Sequence, residues 1–296
     1  MQFILKAFHE IEGIGAASGL IYQPPYLYLA SDYSSCLYRY DLPQRQLTRI
    51  ALFADCPELL PKPKKFDFEA IVLYDNALWL FGSGSTQRRN SAVCYDLASA
   101  QTNAHTTVVS PTIYDLSKLY EAFKRTAQLD DAELNIEGVI YHQAQWLFFQ
   151  RGNGKQAKNG IFTMQGDIFQ YENLESGVAG NVSDWLTFVP VQLPVIHQVN
   201  SSFTDAIVVG QTIYFLASAE NSSSTYTDGE VLGSYLGCMD LNSKIIQDVQ
   251  LISTCHKFEG LALYQQLNDK IEFLLCEDND TEQLNTIIYK LSVALD

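Results

Sequence analysis

Positive charge is scarce in this sequence, and so is anything that reads as a membrane segment, a cysteine framework or a long helix. Lysine and arginine number 19 against 34 acidic residues, a net charge of −15. No basic stripe gathers the few cations, so repulsion excludes nucleic acid and an anionic membrane from the expected partners. No stretch reaches the roughly eighteen apolar residues that a membrane helix needs, and Met1 to Glu10 lacks the basic flank and long apolar run of a secretory signal. A soluble cytoplasmic protein is the expectation. The six cysteines (36, 56, 94, 238, 255 and 276) show neither close pairing nor a short cysteine-dense frame. Cys94 and Cys238 sit in apolar strand patterns, and buried, reduced thiols are expected throughout.

What the sequence does have is a repeated unit. Phe66-Asp67-Phe68-Glu69-Ala70 runs on to Tyr74, a turn at Asp75-Asn76, Leu78 to Phe81, a polar loop from Gly82 to Asn90, then Ala92 to Leu97. That order is strand, tight turn, strand, long polar loop, strand. It returns at Ile136-Glu137-Gly138, Thr204-Asp205-Ala206 and Phe258-Glu259-Gly260, and in a weaker copy at Ala17-Ser18-Gly19. The residues before the small one, Ser18, Glu69, Glu137, Asp205 and Glu259, are 51, 68, 68 and 54 apart. Such periods suit four-stranded blades, and a unit that cannot bury a core alone implies a single domain over 1–296. Later fourth strands are expected at 105–109, 185–191 and 245–252.

The fifth unit ends after its third strand, Thr286 to Leu291, while Gln2 to Phe8 is a strand-like run without a unit. If the first completes the last, no edge is left free. The fold predicted is an all-β, five-bladed propeller closed by the N-terminal strand. A six-bladed ring is the alternative and would need another unit in 98–135 or 165–202. One segment, 115–128, has helical spacing instead: Asp115 as cap, then Leu116, Leu119, Tyr120 and Phe123. This insertion is expected over the rim that carries the long loops.

The same rim receives the acids, because they begin the innermost strands. Glu69, Glu137, Asp205 and Glu259 should converge near the axis, with Ser18 as a neutral fifth. Crowded carboxylates need a bound cation, protonation or basic partners, or else they accept hydrogen bonds from adjacent blades. Oxygen ligands without clustered His or Cys suit calcium or magnesium, so these four acids are the predicted metal ligands. Arg88, Arg89 and Arg151 approach from two rim loops, to bind a phosphate or carboxylate or to neutralise the ring. Ser83 and Ser85 are further ligand contacts. His256, just before Glu259, and His197, before Asp205, are acid–base candidates beside Glu69, Glu137 and Glu259. The Asp278-Asn279-Asp280 cluster is read as a solvated loop.

The Asp-Phe-Glu-Ala, Asn-Ile-Glu-Gly and Lys-Phe-Glu-Gly openings, with Gly-Ser-Gly-Ser followed by arginine, resemble bacterial propeller proteins of uncharacterised function related to phytase-like and esterase-like propellers. The resemblance implies a channel reached by the acids of those openings, here Glu69, Glu137 and Glu259. Asp205 and Ser18 depart from the pattern, and the denser acidic set of calcium-dependent phytases is not matched. The expected function is binding of a small polar or anionic ligand at the channel mouth, with metal-dependent ester or phosphoester hydrolysis as its enzymatic form. The alternatives are a non-catalytic binding module and a protein-interaction platform around a structural acidic ring.

Overall fold

A strand with apolar side chains on both faces must find a partner for each, and this chain does so by stacking sheets around an axis. The computed structural model describes residues 2–53, 56–57, 59–98, 111–170, 185–221, 229–279 and 283–295. After β1 (Phe3–Glu12) comes the first blade, with β2 (Ala17–Gln23), β3 (Tyr26–Ser31), β4 (Cys36–Asp41) and β5 (Gln46–Ala51). The second has β6 (Phe68–Tyr74), β7 (Ala77–Gly82), β8 (Ser91–Asp96) and β9 (Thr112–Asp115). The helix α1 (Ser117–Ala127) then leads to the third, β10 (Ile136–His142), β11 (Gln145–Gln150), β12 (Gly160–Gln165) and β13 (Leu186–Pro190). A short β14 (Val195–Ile196) opens the fourth, followed by β15 (Val199–Val209), β16 (Thr212–Asn221), β17 (Glu230–Asp240) and β18 (Ile246–Ser253). The fifth is β19 (Phe258–Gln266), β20 (Lys270–Glu277) and β21 (Asn285–Ala294). The outer strand expected at 105–109 lies outside the described residues; β9 pairs with β8 on the outer side of the second blade.

The innermost strands neighbour one another in the order β2, β6, β10, β15, β19 and back to β2, so the ring closes at five blades and no sixth intervenes. The last blade has the order β19-β20-β21-β1, and β1 runs antiparallel to β21 from Phe3 opposite Val293 to Glu12 opposite Asn285. The N-terminal strand is thus longer than the sequence predicts and covers the edge that β21 would otherwise present. Side chains of period two feed two blade interfaces from each strand: Phe148 packs between blades two and three, and its neighbour Phe149 between three and four. The innermost strands approach so closely that a Cβ on Gly19 would stand 2.9 Å from Ile71 Cγ2, and one on Gly260 2.9 Å from Leu20 Cβ. This crowding is why a small residue follows each acid.

Long loops gather on one rim. On the other, Asp75-Asn76 and Gln143-Ala144 turn in two residues, both with positive φ, as the mirror-image hairpin turns require. The helix lies on the long-loop rim. Tyr120 donates to Gly82 O at 2.7 Å, and Lys158 reaches Ala127 O at 2.9 Å, so α1 bridges the loops of blades two and three. Its N-cap is Leu116 rather than Asp115, whose carboxylate sits one residue earlier and accepts the Ser117 N–H at 2.9 Å. The expectation of reduced cysteines fails at one pair, because Cys36 and Cys56 form a disulfide across a Cα separation of 5.8 Å. The pairing is hidden in the sequence by the separation of 20 positions. No helix among the described residues is long and apolar enough to cross a membrane.

Phe3 and Leu5 of β1 pack into the core between blades four and five, and Phe8 into that between five and one. Removing residues 1–8 should therefore cost on the order of 3–5 kcal/mol and broaden thermal unfolding followed by circular dichroism. A truncated protein that melts as sharply and as high as the parent would show that closure does not depend on this strand.

Candidate functional site

Near the long-loop rim each innermost strand carries one extra residue. The pairing skips Ser18, Glu69, Glu137, Thr204 and Glu259, which are the bulged residues of the five blades. A bulge re-aims the side chain it carries, and three of these five are the converging glutamates. The fourth blade corrects the sequence alignment by one residue. Asp205 occupies the place of the small residues, and Thr204 that of the acid. Asp205 is no candidate ligand, because its carboxylate already accepts the N–H of Ala206 and, across the blade interface, of Leu261, each at 2.7 Å. The neutral bulge residues also brace the ring: Ser18 donates to Phe68 O at 2.5 Å and Thr204 to Phe258 O at 2.6 Å.

Two further layers stand above the bulges. Two residues before them come Ala16, Asp67, Asn135, Ser202 and Lys257, and along the second strands, one residue beyond the partner of the residue that precedes each bulge, come Asp32, Ser83, Arg151, Ser218 and Asp278. The two layers are tied by hydrogen bonds such as Ser83 N–H to Asp67 O and Arg151 N–H to Asn135 O. On blades three to five the charges match. Arg151 reaches Glu137 at 3.2 Å, Glu220 at 2.6 Å and Glu259 at 3.6 Å; Lys257 reaches Glu259 at 3.0 Å and Asp278 at 3.1 Å. Burial alone would pull Lys257 down, but Glu259 and Asp278 hold it well above its ordinary value. Burial pushes Glu137 up while Arg151 and Lys257 oppose it, and Glu137 also accepts from Asn135 Nδ2 at 2.6 Å.

Blades one and two differ. Oxygen atoms of Asp32, Asp67 and Glu69 all lie within 4.8 Å of one another. Lys65 pairs with Asp32 and Arg89 with Asp67, both at 2.7 Å, and Ser83 donates to Asp67 at 2.5 Å. Asp67 holds a φ of 57°, the left-handed region, at the point where the chain turns into β6. Among the described residues Glu69 has no cation within ion-pair distance. No described residue donates a hydrogen bond to its carboxylate, and burial together with Asp67, Glu137, Glu259 and Asp32 drives it well above the usual carboxylate range. The Asp32 carboxyl is pushed up to about 6 by burial, against the pull of Lys65, with Asp278 and Asp67 adding to the rise. On the same rim a groove of about 480 Å³, which none of these three acids lines, opens between α1 and the loop of Gly84, Ser85, Thr86 and Asn90.

Other predicted residues fall in and out of this arrangement. Ser83 and Ser85 belong to it, with Ser85 accepting from Arg89 at 2.8 Å. Arg88 does not: its Nε donates to Lys64 O at 2.9 Å and its guanidinium lies on the Phe66 ring, facing outward. His256 turns from the channel to Glu277, at 2.6 Å, and stacks against Phe258 and Tyr289. His197 sits in the tight turn between β14 and β15. Asp278 is buried against Lys257 rather than in a solvated loop; Asp280 lies outside the described residues. Sequence reasoning missed Asp32, Lys65, Asp67, Glu220 and Lys257. Asp32 and Asp278 share the register of Arg151, a signal available had the repeat been extended to the ends of the second strands.

Raised carboxyl groups have a definite sign in linkage. The folded protein holds protons that the unfolded chain gives up near pH 4, so the stability these groups contribute is complete below that pH and is lost as pH rises through about 6, the Asp32 value. Glu69→Gln removes an acid with no cationic partner. In cation-free protein it should raise the melting temperature at pH 7 by about 2–4 °C, on the order of 1 kcal/mol, and leave it unchanged at pH 4. Equal shifts at both pH values would contradict this electrostatic account.

Comparison with known proteins agrees with the fold. The Myxococcus xanthus glutaminyl cyclase structure aligns with 99% of this chain and 98% of its own at 10% identity and a TM-score of 0.52. The major Malassezia sympodialis allergen Mala s 1 aligns over 95% of both chains at 9% identity and a TM-score of 0.56. At such identities the likeness is one of architecture alone. No curated protein matches the sequence. A model of the family of unknown function DUF6929 matches residues 13–293, and the chain belongs to that family.

Proposed function

We propose that the channel mouth binds a divalent cation, calcium or magnesium, at Asp32, Asp67 and Glu69, and through it a small polar ligand. The observation that carries this reading is Glu69, a buried carboxylate with neither cation nor hydrogen-bond donor, 4.8 Å or less from two other carboxylates. Oxygens at that spacing suit one hard ion at about 2.3–2.6 Å from each. Charge supports it too. Asp32, Asp67, Glu69, Glu137, Glu220, Glu259 and Asp278 face Lys65, Arg89, Arg151 and Lys257, a surplus of three negative charges that one divalent ion reduces to one. The metal set is therefore moved from the predicted ring of Glu69, Glu137, Asp205 and Glu259 to the side where the acids outnumber their partners. Glu137 and Glu259 serve the network with Arg151 and Lys257.

The hydrolytic form of this reading has the cation polarising an ester or phosphoester bond and lowering the pKa of an attacking water. The disulfide Cys36–Cys56 weighs against the cytoplasmic placement, since such bonds persist in oxidising compartments.

Calcium or magnesium at about 100 times its Kd should stabilise the protein by about 2.7 kcal/mol in a thermal melt. Glu69→Gln should abolish that gain. Glu137→Gln should keep it while lowering the baseline stability, because Arg151 loses a partner. A parent melting temperature indifferent to both ions would overturn the cation reading. Turnover of carboxyl ester or phosphoester substrates only in the presence of the ion would establish the enzymatic form, and saturable binding without turnover the binding module.

A further inference from the structure

We infer that the channel mouth carries a second subsite, on blades three and four, where Arg151 Nε and Ser218 Oγ take an uncharged carbonyl oxygen of the ligand; this deepens the cation reading and rests on it. Both atoms are buried and neither has a hydrogen-bond partner among the described residues. Their residues are 4% and 1% exposed, so bulk water does not supply one. A buried polar atom left unpaired costs about 1–3 kcal/mol, which is tolerated where a ligand or an ordered water completes the bond. Arg151 and Ser218 occupy the same register on consecutive blades. The Arg151 guanidinium is anchored by Nη2 on Glu220 at 2.6 Å, and Glu220 lies two residues beyond Ser218 on the same face of β16. The guanidinium is thus anchored two residues from Ser218 along one strand.

The chemistry of the pair selects its occupant. Arg151 Nε is a donor only and Ser218 can donate, so together they suit an oxygen with two free lone pairs. Charge decides between a carboxylate and a neutral carbonyl. The other end of the guanidinium is already shared by Glu137, Glu220 and Glu259, and Lys257 is held by Glu259 and Asp278. Four carboxylates against two cations leave no positive potential for an anion, whereas a neutral carbonyl meets two donors without adding charge. Across the axis, the ion at Asp32, Asp67 and Glu69 would hold a second oxygen. The ligand class is an uncharged ester or amide that bears two oxygen functions.

The test compares N-acetylglycinamide with its charged counterpart N-acetylglycine on calcium-loaded protein by ligand-observed NMR. Arg151→Ala would remove a cation that three carboxylates share and can fail to fold, so Ser218→Ala is the variant of choice, with calcium affinity measured alongside. The amide should bind and the acid should not. Ser218→Ala should weaken the amide about three- to tenfold and leave calcium affinity unchanged. Equal or tighter binding of the acid, an unaltered amide affinity in Ser218→Ala, or no binding of either probe to calcium-loaded protein would overturn the subsite and leave the cation reading standing. Absence of calcium uptake would overturn both.

Discussion

Carboxylates brought together and buried around a narrow axis repel one another, and the top of this molecule is organised to contain that repulsion. Ring closure forces the convergence. Five innermost strands stand side by side, each with a bulge at the same height, and on three of them the bulged residue is a glutamate. Because burial raises the cost of every uncompensated charge, each acid must find a cation, a donor or a proton. The arrangement of loops, helix and basic residues follows from where each of those is supplied.

The supply is uneven around the ring. From blade three to blade five, Arg151 and Lys257 bind four carboxylates in one continuous net that spans three blades. On blades one and two the cations stand at the flanks, Lys65 on Asp32 and Arg89 on Asp67, and Glu69 is left between them. The second half is held open by the scaffold. Tyr120 of α1 pins Gly82, and a Cβ on Gly84 would stand 2.8 Å from its ring, so the loop that carries Ser83, Ser85 and Arg89 is fixed from above. A rigid acidic pocket beside a charge-matched wall is what a site for a hard cation and a polar ligand needs.

Much of the fold is legible in the sequence, because the strand–turn–strand pattern repeats and the unpaired N-terminal run matches the missing outer strand. Glu69, Glu137 and Glu259 are legible for the same reason. The fourth blade misleads by one residue: a linear alignment places Asp205 with the acids, whereas the bulge, which depends on pairing with β16, places Thr204 there. Partner choice is also beyond a linear reading. Nothing in the order of residues says that Arg88 turns out to Phe66 while Arg89 turns in to Asp67, or that Glu220 arrives from the far end of β16 to hold Arg151. The Cys36–Cys56 bond is a product of the same tertiary proximity, since it brings Cys56 beside the first residue of β4.

The most direct measurement is anomalous diffraction from crystals soaked in manganese, which takes the oxygen ligands of calcium and magnesium sites and scatters strongly enough to be located. The account predicts one strong peak enclosed by Asp32, Asp67 and Glu69, with none between Glu137 and Glu259. A channel without a peak, or a peak seated on the Glu137 and Glu259 side, would contradict it.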